Sequence, residues 1–245
     1  MRKAIVPVYQ PIVDVETGSV LHYEALARIS NGSCSHGRLI ELGEMVGFIN
    51  LIDIAMLEHV VEALRKNPRV IVAVNVSGAT INDSCNELLA TVFRNMEFMR
   101  RVVFEITETS EICDQKMLAR FLVCVRLLES RVALDDFGTG FCTLGFVEKI
   151  KPEFVKLAGN IVASLDSTGD DKAIREVCNL VRGYGGHMIA EHVDTKSKCE
   201  AVCALGIRYL QGFYVGGHLP SLPDKEPAVV PISSSRVLAP LAVGA

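Results

Sequence analysis

Two adjacent carboxylates, Asp135 and Asp136, follow a short apolar run and lead into a glycine-containing loop at positions 137–140. Neighbouring carboxylates repel each other, and acidic side chains contribute little to a protein core. A divalent cation is the simplest partner that makes such a pair stable, because carboxylate oxygens are preferred ligands of hard cations. The pair therefore indicates a metal site at the end of a strand.

Seven further polar side chains stand at or near the ends of other apolar segments. They are Glu24, Asn75, Glu105, Glu108, Lys156, Glu191 and Gln211. Each one alone has a structural explanation, as a helix-cap partner, a turn residue or a lysine that reaches solvent. On one shared surface the carboxylates among them, together with Asp135 and Asp136, would repel each other unless cations were bound. Oxygen donors without clustered histidine or cysteine favour Mg²⁺ or Mn²⁺ over zinc.

Strand geometry restricts how these side chains meet. On a regular strand Asp135 and Asp136 face opposite sides, so both reach one site only if the strand ends there. The glycines at 138 and 140 suit such an end, and the loop that follows is either a mobile cover of the site or a plain turn. His22 precedes Glu24 by two residues and is expected on the same strand face, where a structural role is favoured over metal binding.

Strand-like and helical patterns alternate along most of the 245 residues, a length that suits one large barrel or two small domains. The two most continuously apolar strands favour a parallel sheet that is buried on both faces. The sequence therefore predicts an α/β fold of the (β/α)8 barrel type, in which polar strand ends meet on one face. Predicted strands cover residues 4–13, 19–29, 70–75, 102–107, 132–136, 154–157, 188–191 and 209–211, and predicted helices cover 51–66, 117–129, 172–182 and 196–204.

The two ends of the chain differ from this regular pattern. Only residues 16–18 separate the first two strands, which is typical of a hairpin, so one barrel strand near the N-terminus is expected to run antiparallel. We expect residues 1–220 to form the barrel domain. Residues 221–245 are rich in Pro, Ala, Val and Ser without a period, which predicts a poorly ordered tail.

Composition excludes several classes of function. The formal net charge is −4, so no basic excess indicates binding to a DNA or RNA duplex or to an anionic membrane. No apolar run reaches the roughly 18–20 residues of a membrane span. The eight cysteines are scattered and form no Cys-x-x-Cys motif, which predicts reduced thiols and a cytoplasmic location.

The residues also resemble a known family. The chain is similar to EAL domains, bacterial phosphodiesterases that hydrolyse cyclic di-GMP, from Val8 to about Pro220. The matching motifs occur in the family's order. They are Tyr9-Gln10-Pro11-Ile12, Glu24-Ala25-Leu26-Ala27-Arg28, Asn75-Val76-Ser77, Glu105-Ile106-Thr107-Glu108, the run from Asp135 to Gly140, Val155-Lys156, Ala190-Glu191 and Gln211-Gly212-Phe213.

The resemblance implies a role for each motif residue. It implies two bound Mg²⁺ or Mn²⁺ ions, with Asp135 bridging them and Asp136 beside the second. Glu191 is implied as a candidate base, and Lys156 as the residue that positions the attacking water. Arg28 and Gln10 are implied to bind the substrate. The other implied roles are metal binding by Glu24, Asn75 and Glu105, water-mediated metal binding by Glu191 and Gln211, and anchoring of the 136–143 loop by Glu108.

The implied activity is hydrolysis of cyclic di-GMP to linear pGpG by a homodimer. Three departures from the family pattern keep a second reading open. Ala158 and His192 stand where the family has an aspartate and a glycine, and Asp194 replaces a glutamate. The alternative is a weak or inactive EAL domain that acts as a cyclic di-GMP receptor or scaffold. An unrelated barrel enzyme acting on sugars or phosphates is the third hypothesis.

Overall fold

The computed structural model describes residues 4–30, 36–107, 112–138, 142–168 and 171–223. Eight strands close into a barrel, and each strand pairs with its neighbours in chain order. This arrangement confirms the predicted (β/α)8 fold. The strands are β1 (Ile5–Asp14), β2 (Val20–Ile29), β3 (Val72–Ser77), β4 (Val102–Thr107), β5 (Arg131–Phe137), β6 (Phe154–Leu157), β7 (His187–Ala190) and β8 (Tyr209–Leu210).

The first strand runs against the others, as the sequence predicted. β1 pairs antiparallel with both β2 and β8, whereas every pair from β2 to β8 is parallel. The turn between β1 and β2 needs a residue with positive φ, and Gly18 supplies it at φ 72°. As a result, the C-terminal end of β1 lies at the end of the barrel where the other strands begin.

Helices follow the strands within the described part of the chain, and four of them correspond to the predicted helices. The others were not predicted. They have six to ten residues, shorter than the roughly 11–18 residues over which helical periodicity is measured, although the predicted helix Lys196–Ala204 is equally short at nine residues. The helices are α1 (His36–Met45), α2 (Ile49–Lys66), α3 (Gly78–Asp83), α4 (Cys85–Arg94), α5 (Gln115–Leu127), α6 (Leu144–Ile150), α7 (Gly159–Thr168), α8 (Lys172–Gly183) and α9 (Lys196–Ala204).

Side chains inside the barrel form two layers. The lower layer is mostly apolar and contains Ile12, Ala73, Val103, Ala133, Phe154 and Ile189, with Tyr209 packed against it. Because side chains on a strand alternate between faces, the residue two positions nearer the opposite end also points inward. These residues are Gln10, Asn75, Glu105, Asp135, Lys156, Glu191 and Gln211, and we call this upper layer, together with Glu24, the polar floor.

The sequence also predicted a poorly ordered C-terminal tail and no membrane span. Residues 224–245, which make up most of the predicted tail, lie outside the described residues. Within the described ranges, no helix combines the length and the hydropathy that are needed to span a bilayer. The predicted cytoplasmic location stays a prediction.

Candidate active site

The polar floor is centred on the ammonium group of Lys156. Its Nζ lies 3.2 Å from Glu24, 2.8 Å from Glu105, 2.9 Å from Asp135 and 2.7 Å from Glu191. These carboxylates come from β2, β4, β5 and the residue after β7, so the barrel brings together side chains far apart in sequence. An ammonium has three N–H donors and cannot satisfy four carboxylates at once.

The electrostatics of the floor show a surplus of negative charge. Burial and then repulsion by Glu24 raise the pKa of Glu105 well above its usual value, although Lys156 opposes this shift. Burial raises the pKa of Glu191 to about 8, again against the effect of Lys156. Burial alone would lower the pKa of Lys156, but the surrounding carboxylates, Asp135 first, raise it well above its usual value. The lysine is therefore charged, and one cation does not neutralise this group of acids.

Glu24 is also held by two amides. Asn75 Nδ2 donates to one of its oxygens at 2.9 Å, and Gln211 Nε2 donates to the other at 2.7 Å. Gln211 Nε2 also lies 3.2 Å from Gln10 Oε1. Ser77 follows Asn75 as the N-cap of α3, where its side chain accepts from Thr80 N. This segment therefore ends β3 and begins α3, and it also places Asn75 on the polar floor.

The backbone geometry that places Asp136 in the site differs from the predicted strand end. The strand does not end at the pair, because β5 continues to Phe137. Instead the pairing of β5 with β6 is irregular between Leu134 and Phe137, and Asp136 adopts φ 52°. Such a bulge re-aims a side chain that a regular strand would direct to the opposite face. Asp135 and Asp136 consequently line the same cavity.

The donor chemistry of the floor fits a hard cation. Among the described residues, no group of three or more His, Cys, Asp or Glu side chains is arranged to hold a metal ion. The Lys156 ammonium lies at the centre of the four carboxylates. However, four buried oxygens around this centre have no hydrogen-bond donor within the described part of the chain: Asn75 Oδ1, Glu105 Oε1, Gln211 Oε1 and Asp135 Oδ1, the last of which lies 2.9 Å from the Lys156 ammonium as an ion pair. Amide and carboxylate oxygens are the ligands that Mg²⁺ and Mn²⁺ prefer. Unpaired buried acceptors are costly, and a cation would satisfy them.

A cavity of about 270 Å³ opens above the floor. Arg28 lies on its wall, where its Nη1 donates to the backbone oxygen of Ala27 at 2.9 Å. Phe213 is 67% exposed beside the cavity, and its ring contacts that of His218 at 5.5 Å. The motif containing Gln211 pointed to this segment, but nothing in the sequence identified the two rings as part of the wall.

His192 also lines this cavity and is exposed. It adopts the left-handed conformation at φ 51°, which costs a non-glycine residue free energy. Its ring lies against Gly159, where a Cβ atom would approach His192 Cγ to 2.6 Å. The neighbouring Ala158 is buried and supplies no carboxylate. Both departures from the expected pattern therefore change the same side of the site.

One buried acid escaped sequence analysis because it lies within the helical pattern of α2. Asp53 accepts hydrogen bonds from Ser77 N at 2.9 Å and Thr80 Oγ1 at 2.6 Å. Burial raises its pKa to about 6. These bonds fix the turn after Asn75, so Asp53 supports the site from outside the barrel. A buried acid within an amphipathic helix gives no signal that sequence reading can separate from a surface acid.

The structure thus brings together at one end of the barrel nearly all the residues singled out from the sequence. Glu108 lies outside the described residues, as do positions 139–141 of the predicted loop, so the anchoring role and the cover remain predictions. His22 faces inward as expected. Burial, followed by the positive charges of Lys156 and Arg131, lowers its pKa to about 3, so its ring is neutral.

Comparison with known proteins agrees with this geometry. The sequence model of the family described as "EAL domain" matches residues 1–217. The chain belongs to the EAL domain family. This membership confirms the resemblance, and the closed barrel agrees with the fold of a solved EAL relative. That relative, described as "PaMucR Phosphodiesterase, c-di-GMP complex", is 26% identical with a TM-score of 0.76, and the match covers 89% of this chain and 93% of that one.

Two sequence relatives extend the comparison. The uncharacterized protein y4lL of Sinorhizobium fredii is 32% identical over 87% of this chain and 27% of its own length. The cyclic di-GMP phosphodiesterase PdeF of Escherichia coli is 27% identical over 92% of this chain and 31% of its own length. This EAL chain therefore spans about a third or less of these relatives.

Proposed function

We propose that this EAL domain is a divalent-metal-dependent phosphodiesterase that hydrolyses cyclic di-GMP to linear pGpG. The observation that carries the proposal is the convergence of four carboxylates, each within 3.2 Å of Lys156 Nζ, at one end of the barrel. A similar protein, PdeF, is named as a cyclic di-GMP phosphodiesterase, and the PaMucR phosphodiesterase is described in complex with c-di-GMP.

The residues that would hold two cations, Mg²⁺ or Mn²⁺, are all on the floor. Glu24, Asn75, Glu105 and Asp135 would hold the first, and Asp135 with Asp136 would hold the second. Glu191 and Gln211 would bind through water. When bound, such cations lower the pKa of a water molecule and neutralise charge on a phosphodiester. The unpaired oxygens of Asn75 and Gln211 support this assignment.

The proton of the attacking water is assigned to Glu191. Burial raises the pKa of this carboxyl to about 8, close to neutral pH, where a general base is most effective. Lys156 contacts Glu191 at 2.7 Å and carries positive charge. We assign to Lys156 the orientation of that water and the supply of a donor to it. Both groups are buried in the barrel, which strengthens their electrostatic effect on a bound phosphate.

The cavity wall offers complementary groups for a cyclic dinucleotide. Arg28 supplies a guanidinium for a phosphate, since arginine can bind two phosphate oxygens together. Gln10 lines the same cavity and presents an amide to a nucleotide base. The exposed ring of Phe213 offers a flat apolar surface on which a purine can stack.

A turnover assay tests this proposal. Metal-stripped protein is incubated with cyclic di-GMP and either Mg²⁺, Mn²⁺ or EDTA, and products are separated by chromatography. We expect pGpG with a cation and none with EDTA. Absence of product with either cation, in protein that is folded by circular dichroism, contradicts the phosphodiesterase assignment.

A cyclic di-GMP receptor is the second candidate, because His192 projects into the cavity and Ala158 supplies no carboxylate. The two functions differ in the same assay when binding is measured in parallel by calorimetry. Binding without turnover supports the receptor, and absence of both rejects the two candidates together. Because the chain belongs to the EAL domain family, the third hypothesis of an unrelated barrel enzyme is not retained. The homodimer implied by the family resemblance is also a proposal, and light scattering tests it.

A further inference from the structure

His22 places a polar imidazole in the mostly apolar lower layer of the barrel. Seven strands place an apolar side chain or Tyr209 there, whereas β2 places an imidazole beneath the polar floor. The residue is 1% exposed, and its ring centroid lies 5.3 Å from that of Phe154. Burying a polar ring costs free energy unless its nitrogens are hydrogen-bonded.

Within the described ranges of the chain, neither ring nitrogen of His22 has a hydrogen-bond partner, and neither does Glu105 Oε1. These orphaned groups face each other, because His22 Nε2 lies 3.9 Å from Glu105 Oε1 and both side chains are fully buried. A direct N–H···O bond needs about 2.7–3.2 Å, so the contact is about 1 Å too long. A separation of this size leaves no room for a bridging water.

The other oxygen of Glu105 is already held. Lys156 Nζ lies 2.8 Å from Glu105 Oε2, so the carboxylate has one contact at the floor and one unpaired oxygen directed at His22. We propose that His22 is a positioning residue: a movement of about 1 Å brings its Nε2–H within hydrogen-bonding distance of Glu105 Oε1, and the bond then fixes the rotation of this carboxylate. Oε2 then points to the centre of the floor. This inference rests on the proposed metal-binding function of Glu105 and deepens it.

The chemistry of the ring fits this role. A neutral imidazole carries one N–H, and the tautomer protonated at Nε2 satisfies both that nitrogen and Glu105 Oε1. Groups that hydrogen-bond a metal-binding side chain fix its orientation, and their removal typically weakens metal binding by about 10–100-fold. His22 does not line the cavity above the floor, so its effect passes through Glu105.

Two substitutions separate hydrogen bonding from packing. His22→Gln keeps an amide N–H near the position of Nε2, whereas His22→Leu keeps bulk without a donor. His187→Leu is the matched control, because that imidazole also lies against Phe154, at 6.1 Å, but is exposed at the opposite end of β7. Mn²⁺ affinity is measured by electron paramagnetic resonance, and folding by circular dichroism.

We expect His22→Leu to weaken Mn²⁺ binding by about 10–100-fold, His22→Gln to restore most of the affinity, and His187→Leu to leave it unchanged. Unchanged affinity in His22→Leu overturns the proposal. Equal losses in the Leu and Gln variants also overturn it, since packing alone would then explain the effect.

A measurement on the unsubstituted protein covers two further cases: failure of the variants to fold, and absence of Mn²⁺ binding in the wild type. Nitrogen-15 chemical shifts of His22 report its tautomer. A proton on Nε2 whose signal moves in Glu105→Gln supports the positioning role, and a proton on Nδ1 rejects it. Absence of Mn²⁺ binding in the wild type rejects the proposed function instead, so the two failures remain distinct.

Discussion

The two ends of the barrel differ in how many partners they supply to their buried carboxylates. At the end where the parallel strands begin, Asp14 receives hydrogen bonds from Arg208 Nε at 2.6 Å, Thr17 Oγ1 at 3.0 Å and Glu16 N at 3.0 Å. At the other end, Lys156 alone faces four carboxylates. The first cluster is satisfied by its own residues, whereas the polar floor is not. This contrast indicates that one end stabilises the fold and the other serves a ligand.

The pKa shifts follow the same division. Burial alone would raise the pKa of Asp14, but hydrogen bonds from Arg208, Glu16 and Thr17 outweigh it and lower the pKa. Burial also acts on Glu105, and there repulsion from Glu24 adds to it, so the pKa rises. Burial raises the pKa at both ends, more strongly at the fully buried Glu105, and only the Asp14 end supplies enough hydrogen-bond donors to reverse the shift.

The largest expected difference between the ends is in activity. Glu24→Gln removes a floor carboxylate with little change of shape, so we expect turnover of cyclic di-GMP to fall by more than about a hundredfold. Asp14→Asn is the matched control at the opposite end and should keep wild-type turnover. Comparable activity in Glu24→Gln and the wild type, measured with saturating Mn²⁺, contradicts a role of the floor in catalysis.

The next largest expected effect is on the free energy of unfolding, when Lys156 is replaced. Lys156→Met leaves several buried carboxylates without their cation, and removal of one member of a buried ion pair costs about 3–5 kcal/mol. We expect this loss in the free energy of unfolding, measured by urea denaturation in EDTA. Saturating Mn²⁺ should recover part of it and raise the melting temperature more than in the wild type. An identical loss with and without Mn²⁺ would separate the lysine from the metal site.

The pH dependence of Asp14 gives a smaller effect. The folded-state pKa of Asp14 lies below its unfolded value, so its stabilisation is present above about pH 4 and is lost as pH falls through the folded pKa. Because Arg208 is 40% exposed, we expect Asp14→Asn to cost only about 1 kcal/mol at pH 7. The penalty should shrink toward pH 3. A penalty that stays constant over that range means the carboxylate charge is irrelevant.

The smallest expected effect concerns His192. Its left-handed backbone costs of order 1 kcal/mol, so His192→Gly should increase the free energy of unfolding by about that amount. Lys151→Gly, at φ 48° on an exposed turn, is the control for backbone strain alone. We expect calorimetry to show changed cyclic di-GMP affinity only in the His192 variant. Equal behaviour of the two variants would mean that the His192 ring plays no part in binding.

The sequence predicted which residues form the polar floor more completely than it predicted the backbone geometry that places each of them there. Motif residues at strand ends predicted the convergence, because strand alternation and barrel closure follow simple geometric rules. The bulge at Asp136 was not predictable, since a left-handed aspartate has no local signature that separates it from a strand end. The support of Ser77 by Asp53 and the contact of His192 with Gly159 depend on packing between distant segments, which one sequence does not reveal.

Anomalous diffraction from a crystal grown with Mn²⁺ and collected near the manganese absorption edge tests the metal assignment most directly. We expect two anomalous peaks at the floor, one held by Glu24, Asn75, Glu105 and Asp135, with Asp135 shared by the second. Lys156 should then have left the centre of the carboxylates. A map without peaks at the floor, in which Lys156 still bridges Glu105 and Glu191, would contradict it.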